Sequence, residues 1–217
     1  MTARSAVLAP PPARSVPAEA LAWVAVPVGV ALLMARIWLL RNGGTAAPGM
    51  LATFGALAAL SLASPQTQAR APLGTPPPSP PPASTPRGTA LPRWAALAAG
   101  FGAVGIAAVA STLAGPALPA RATIGALGFV VVGAVAEEAF FRRLVYGRLL
   151  RWGGGGAVAV LGSAVAFGVL HLPLHGTASF PVDLGAGVVL SWQRWASGSW
   201  GVPAATHAFA NVLAVIR

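Results

Sequence analysis

Apolar stretches recur along this 217-residue chain at lengths near the roughly 20 residues a helix needs to cross a hydrocarbon layer about 30 Å thick. They lie at 21–40, 49–63, 94–114, 122–151, 157–172, 180–195 and 200–216. The bilayer is therefore the solvent to which this sequence is written. Hydrophobic residues make up 56% of the chain and charged residues only 8%, against about a quarter charged in soluble domains. The expected fold is all-α: a polytopic transmembrane helix bundle of about seven spans, located in the cell membrane as a multi-pass protein.

The formal net charge of +10 does not indicate nucleic acid. That reading needs basic residues gathered on one polar face or arm, whereas here arginines punctuate apolar segments, as they do where loop charge sets membrane topology. With the N-terminus inside, ten arginines fall on the cytoplasmic side and four, Arg36, Arg41, Arg121 and Arg217, fall outside. Arg36 breaks the first apolar run near its end, where its side chain is expected to snorkel to the interface. That run is too long for the apolar core of a signal peptide and reads as a first spanning helix. The run at 49–63 is short and suits a tilted or partly inserted helix. There are no cysteines, so disulfides, thiolate metal sites and cysteine nucleophiles are excluded by counting.

Residues 64–93 contain ten prolines, among them Pro76-Pro77-Pro78 and Pro80-Pro81-Pro82, which remove backbone donors and favour extended polyproline conformations. Three regions follow: 1–63 with one or two transmembrane helices, 64–93 as a disordered linker, and 94–217 as the block that carries the polar residues of interest. Within that block Gly153-Gly154-Gly155-Gly156 cannot sustain a helix and marks a turn between two antiparallel helices.

Only four residues are acidic, and two of them, Glu137 and Glu138, are adjacent within an apolar helix. An ionisable group at that depth costs about 2.5–3.5 kcal/mol even on a permissive scale, so a bundle-facing functional role is the default. Neighbours on a helix point about 100° apart, while Glu138 and Arg142 stand at i and i+4. One carboxylate pairs with arginine and the other is left free for general acid or base chemistry. Glu137 lies 17 residues before Gly154 and His171 lies 17 after it, so a hairpin about that glycine sets both at one depth. His175 follows Pro173 and is expected in a loop or at the interface. His207 and Asn211, four apart, share one helix face.

A carboxylate with an imidazole can polarise water, and an imidazole with an amide can donate to the oxyanion formed when water attacks a peptide carbonyl. The same residues could hold a divalent ion that activates the water. At the level of residues both schemes stand.

Glu137-Glu138-Ala139-Phe140-Phe141-Arg142, Phe167-Gly168-Val169-Leu170-His171 and His207-Ala208-Phe209-Ala210-Asn211 resemble the EExxxR, FxxxH and HxxxN motifs of the CAAX-protease and bacteriocin-processing (CPBP, or Abi) family. Ser197-Gly198-Ser199-Trp200 resembles the family's small-residue entry to its last helix. The resemblance covers about 94–217. It implies an intramembrane endopeptidase, metalloprotease or metal-free glutamate protease, that hydrolyses a peptide bond of a membrane-associated or lipidated peptide or protein. It also implies Glu137 as the base acting with His171, and His207 with Asn211 as oxyanion donors. Glu138, Arg142 and Phe167 would support the site, and Glu137, His171 and His207 would be the ligands if zinc or another divalent metal is bound. The competing reading is a non-catalytic membrane immunity or scaffold protein of the same family that keeps these residues as polar glue between helices. A small transporter is disfavoured, because no two repeated halves with broken helices appear.

Overall fold

The computed structural model describes residues 16–42, 47–64, 91–114, 123–152 and 155–216. Among them there is no strand, and the chain forms α1 (Val16–Arg41), α2 (Ala47–Ala63), α3 (Arg93–Ala114), α4 (Ile124–Glu138), a π-helical stretch (Ala139–Val145), α5 (Tyr146–Arg151), α6 (Gly155–His175), a 3-10 turn (Thr177–Ser179), α7 (Phe180–Ser197) and α8 (Gly201–Ile216). α4, the π-helical stretch and α5 are one continuous rod, so the described residues form seven rods, as the seven apolar runs predict. Apart from its two ends, the proline-rich segment lies outside the described residues, and so do Gly153 and Gly154.

Four rods are long and apolar enough to cross a membrane alone: Val24–Arg41, Arg93–Ala110, Ile124–Arg151 and Gly155–His175. α2 and α8 are apolar but short. α7 carries buried Ser191 and Gln193, which lower its hydropathy because they face protein. Gln193 Nε2 donates to the Ala96 carbonyl of α3 at 2.8 Å and to Thr206 Oγ1 of α8 at 2.9 Å, so one amide ties three helices. Outward faces are apolar, and Trp38, Trp94, Trp152 and Trp195 stand exposed near rod ends, where indole rings favour the membrane interface.

Local chemistry sets the rod ends. Thr123 caps α4 by accepting from the Ala126 N–H at 3.1 Å, satisfying one orphan donor of the first turn. α7 stops at Gly198, whose φ of 66° is the left-handed conformation that ends many helices. α6 differs from expectation, since it continues through Pro173 and takes in His175. A proline this close to a helix end forfeits a single backbone bond, and Gly176 at φ 82° supplies the stop instead.

The central rod is where most of the others meet, with α3 packed outside it on α7 and α8. α4 packs on α2 and α8, the π-helical stretch touches α1, α2, α6 and α7, and α6 pairs along α7. The apolar core collects Ala25 and Leu33 from α1, Met50, Phe54 and Leu57 from α2, Ala136, Phe140, Phe141 and Leu144 from the central rod, and Phe167 from α6. Two glycines permit this approach. A Cβ on Gly133 would sit 2.8 Å from Phe54 Cζ, and one on Gly29 would overlap the Phe140 ring. Phe140 is fully buried and set edge-to-face against Phe141 at 5.0 Å, so it has nowhere to retreat. Gly29→Ala should therefore destabilise the protein by about 1–3 kcal/mol through overpacking, outweighing the gain of about 1 kcal/mol in helix propensity. Thermal unfolding in detergent should show a lower midpoint than wild type.

Candidate active site

Glu137 and Glu138 end α4 where the rod changes from α- to π-helical geometry. π-helical turns occur often at functional sites because they re-aim side chains and loosen the local ladder. Neighbouring helices cap the loosened carbonyls: Ser163 Oγ donates to the Phe141 carbonyl at 3.0 Å, and Arg194 Nε donates to the Arg142 carbonyl at 3.1 Å. The stretch that follows the two glutamates is thus held from α6 and from α7.

Glu138 is fully buried, with Arg142 Nη1 at 3.1 Å from its Oε1, the i,i+4 pair expected from the sequence. The same oxygen accepts from His207 Nδ1 at 2.9 Å, so Glu138 links the central rod to α8. Arg142 also donates to the Gly187 carbonyl of α7 at 3.2 Å and lies 4.6 Å over the Phe167 ring, a distance at which a desolvated cation is attracted by an aromatic face.

Glu137 points elsewhere, about a quarter-turn round the helix, and it is not free. The Arg36 guanidinium of α1 donates to its Oε1. This corrects two expectations: Arg36 does not snorkel outward, and neither glutamate lacks a cation. The physical reason is directional. Helix side chains lean toward the N-terminus, so a residue near the end of α1 leans back along the helix toward its middle, and a buried carboxylate gives it a partner there.

The other oxygen, Glu137 Oε2, lies 3.8 Å from His171 Nε2 and 3.8 Å from His207 Nε2. Glu137 and His171 therefore lie together, as their equal spacing about Gly154 predicts. Each ring is fixed through its far nitrogen. His171 Nδ1 donates to the Phe167 carbonyl at 2.8 Å, which leaves its Nε2 as an acceptor. His207 Nδ1 donates to Glu138, a carboxylate that supports either the neutral ring or the imidazolium. Phe167 forms the wall between them, stacked on His171 at 4.1 Å and edge-on to His207 at 5.7 Å. A separation of 3.8 Å is too long for a direct hydrogen bond and suits one bridging water.

A cavity of about 510 Å³ opens onto these groups. Phe54, Val104, Phe129, Val130, Val189 and Leu190 give it apolar walls, and Glu137, His171, His207 and Asn211 line it too. All four sequence-predicted reacting residues thus face one space. Glu138, Arg142 and Phe167 buttress them. His175, expected in a loop or at the interface, ends α6 with Nδ1 3.2 Å from Asp183 Oδ2 and lines the same cavity. Arg36 is the residue that sequence reasoning missed. Its signal was present as a charge inside an apolar run, which a reading by helix-end position assigned to the interface.

Among the described residues no cluster of three His, Cys, Asp or Glu side chains has metal-centre geometry, and one oxygen of Glu137 is engaged by Arg36. The donors left for a divalent ion would be Glu137 Oε2 and the Nε2 atoms of His171 and His207.

Arg142→Met should be strongly destabilising. Removing one partner of a buried ion pair costs about 3–5 kcal/mol, so detergent-solubilised protein should unfold at a lower temperature or fail to accumulate. Glu138→Gln combined with Arg142→Met should recover part of that loss.

Residues 119–213 match the family described as type II CAAX prenyl endopeptidase Rce1-like. That span contains all three motifs and leaves out α1, α2 and α3. No curated protein and no solved structure matches the chain.

Proposed function

Because residues 119–213 match the family described as type II CAAX prenyl endopeptidase Rce1-like, we propose that this membrane protein is a multi-pass intramembrane endopeptidase that hydrolyses a peptide bond of a membrane-associated or lipidated substrate. The observation that carries this reading is the convergence of Glu137 Oε2 with the Nε2 atoms of His171 and His207 at the wall of an apolar cavity.

In the proposed reaction a water sits between Glu137 and His171. Glu137 Oε2 takes its proton, and the water oxygen adds to the scissile carbonyl carbon. His207, as an imidazolium balanced by Glu138 at 2.9 Å, donates from Nε2 to the oxyanion, with the Asn211 amide one helical turn further on completing the cradle. Collapse of the tetrahedral intermediate breaks the C–N bond. Glu137 then returns its proton to the leaving amine. No step requires a metal.

The cavity's apolar walls suit an acyl or prenyl chain beside the cleaved peptide. The family's description names CAAX prenyl peptides, so an internally quenched prenylated CAAX peptide is the first substrate to try. Purified protein in lipid nanodiscs should cleave it. Glu137→Gln and His171→Ala should each lower kcat by at least about 10²-fold, the contribution expected of a general base, with membrane insertion unchanged. Chelator should leave the wild-type rate intact, and metal analysis should find no stoichiometric zinc. Full activity in either variant would overturn this reading, and no cleavage by the wild-type protein would favour a non-catalytic scaffold, whose phenotype should survive these substitutions and fail on helix-packing changes such as Gly29→Ala.

A further inference from the structure

Arg36 belongs to α1, outside the segment that matches the family, yet it touches the central carboxylate of the site. Its guanidinium donates to Glu137 Oε1, lies 4.9 Å over the Phe54 ring of α2 and is 18% exposed, while Glu137 is 4% exposed. The cavity that holds Glu137, His171 and His207 is also lined by Arg36, Met50 and Phe54. The hairpin is seated firmly beside them: Gly29 admits the Phe140 ring against α1, and Arg143 donates to the Leu62 carbonyl of α2 at 2.9 Å.

We propose that Arg36 is a positioning residue of the hydrolytic site, and that the N-terminal hairpin α1–α2 completes the active site. This rests on the hydrolytic reading of Glu137 above. Two physical arguments support it. The first is rotational. The terminal torsion of a glutamate is broad and roughly two-fold, so an unanchored carboxylate turns freely and can lean on either imidazole. With Oε1 held by Arg36, Oε2 alone faces the reacting space, level with both Nε2 atoms at 3.8 Å. The second is charge. Glu138 has Arg142 at 3.1 Å, which leaves Arg36 to offset Glu137 across the site. A carboxylate removed from water and left without a cation carries an uncompensated desolvation cost.

The test uses the full chain in nanodiscs, the quenched prenylated CAAX peptide, and Arg36→Ala, Arg36→Lys and Glu137→Gln side by side. Arg36→Ala should lower kcat by about 10²-fold, the scale of a mispositioned general base, with KM within about twofold. Arg36→Lys should fold with the wild-type unfolding midpoint and keep an intermediate kcat, because an ammonium restores the charge without the planar fork. Guanidinium ion added to Arg36→Ala should recover part of the rate. Wild-type kcat in Arg36→Ala would overturn the proposal, and so would a raised kcat, which would make Arg36 an inhibitory cap. A loss that neither lysine nor guanidinium relieves, accompanied by a lower unfolding midpoint, would mark a purely structural residue and overturn it as well. Glu137→Gln separates the two readings: if it is inactive while Arg36→Ala is fully active, only the role of Arg36 falls, and if Glu137→Gln is itself active, the hydrolytic reading falls.

Discussion

Two carboxylates side by side in the middle of an apolar helix cannot be solvated by water and cannot share one partner, because successive helical side chains diverge by about 100°. Each must find its own cation in a different direction. Glu138 finds Arg142 one turn along its own helix, and Glu137 finds Arg36 on another. Much of the site follows from this division. The first pair is local and seals the interior of the central rod against α7 and α8. The second pair is tertiary and draws α1 onto the same rod.

The division also separates two tasks. Glu138 gives one oxygen to both Arg142 and His207 and is fully buried behind the cavity's lining, so it orients. Glu137 keeps one oxygen unclaimed and turned toward the cavity, so it can react. Phe167 connects the two halves, since its ring lies under the Arg142 guanidinium, against His171 and edge-on to His207. One aromatic side chain therefore fixes the spacing between a structural cation and both imidazoles. The π-helical stretch is held in the same place, because its Arg142 carbonyl is taken by Arg194 of α7.

The features legible in the sequence were those governed by period or length. Rod positions follow from apolar runs of bilayer length. The Glu138–Arg142 pair follows from i,i+4 spacing, and the proximity of Glu137 to His171 follows from equal distances about a glycine turn. The features that escaped were those decided between helices distant in sequence. Nothing within α1 tells whether Arg36 faces lipid, interface or protein, since its neighbours Ala35 and Ile37 are apolar on every side; the answer lies 101 residues away. Extension of α6 through Pro173 escaped for a different reason: proline argues against a helix interior, yet near the last turn it removes only one backbone bond. The π-helical stretch leaves no periodic signature in seven residues.

Charge balance explains why such a site is tolerable within a bilayer. Two glutamates against two arginines sum to zero, so the carboxylates and guanidiniums of the assembled site move no net charge into the apolar layer. The segment that carries the family motifs holds both carboxylates but, within the described site, only Arg142 as their direct cation. Separated from α1 it would bury a net negative charge at Glu137, a cost that an apolar cavity of about 510 Å³ offers little means to screen. A guanidinium from α1 supplies the balancing positive charge at Glu137, while packing of Gly29 on Phe140 and the bond from Arg143 to the Leu62 carbonyl seat the hairpin that carries it.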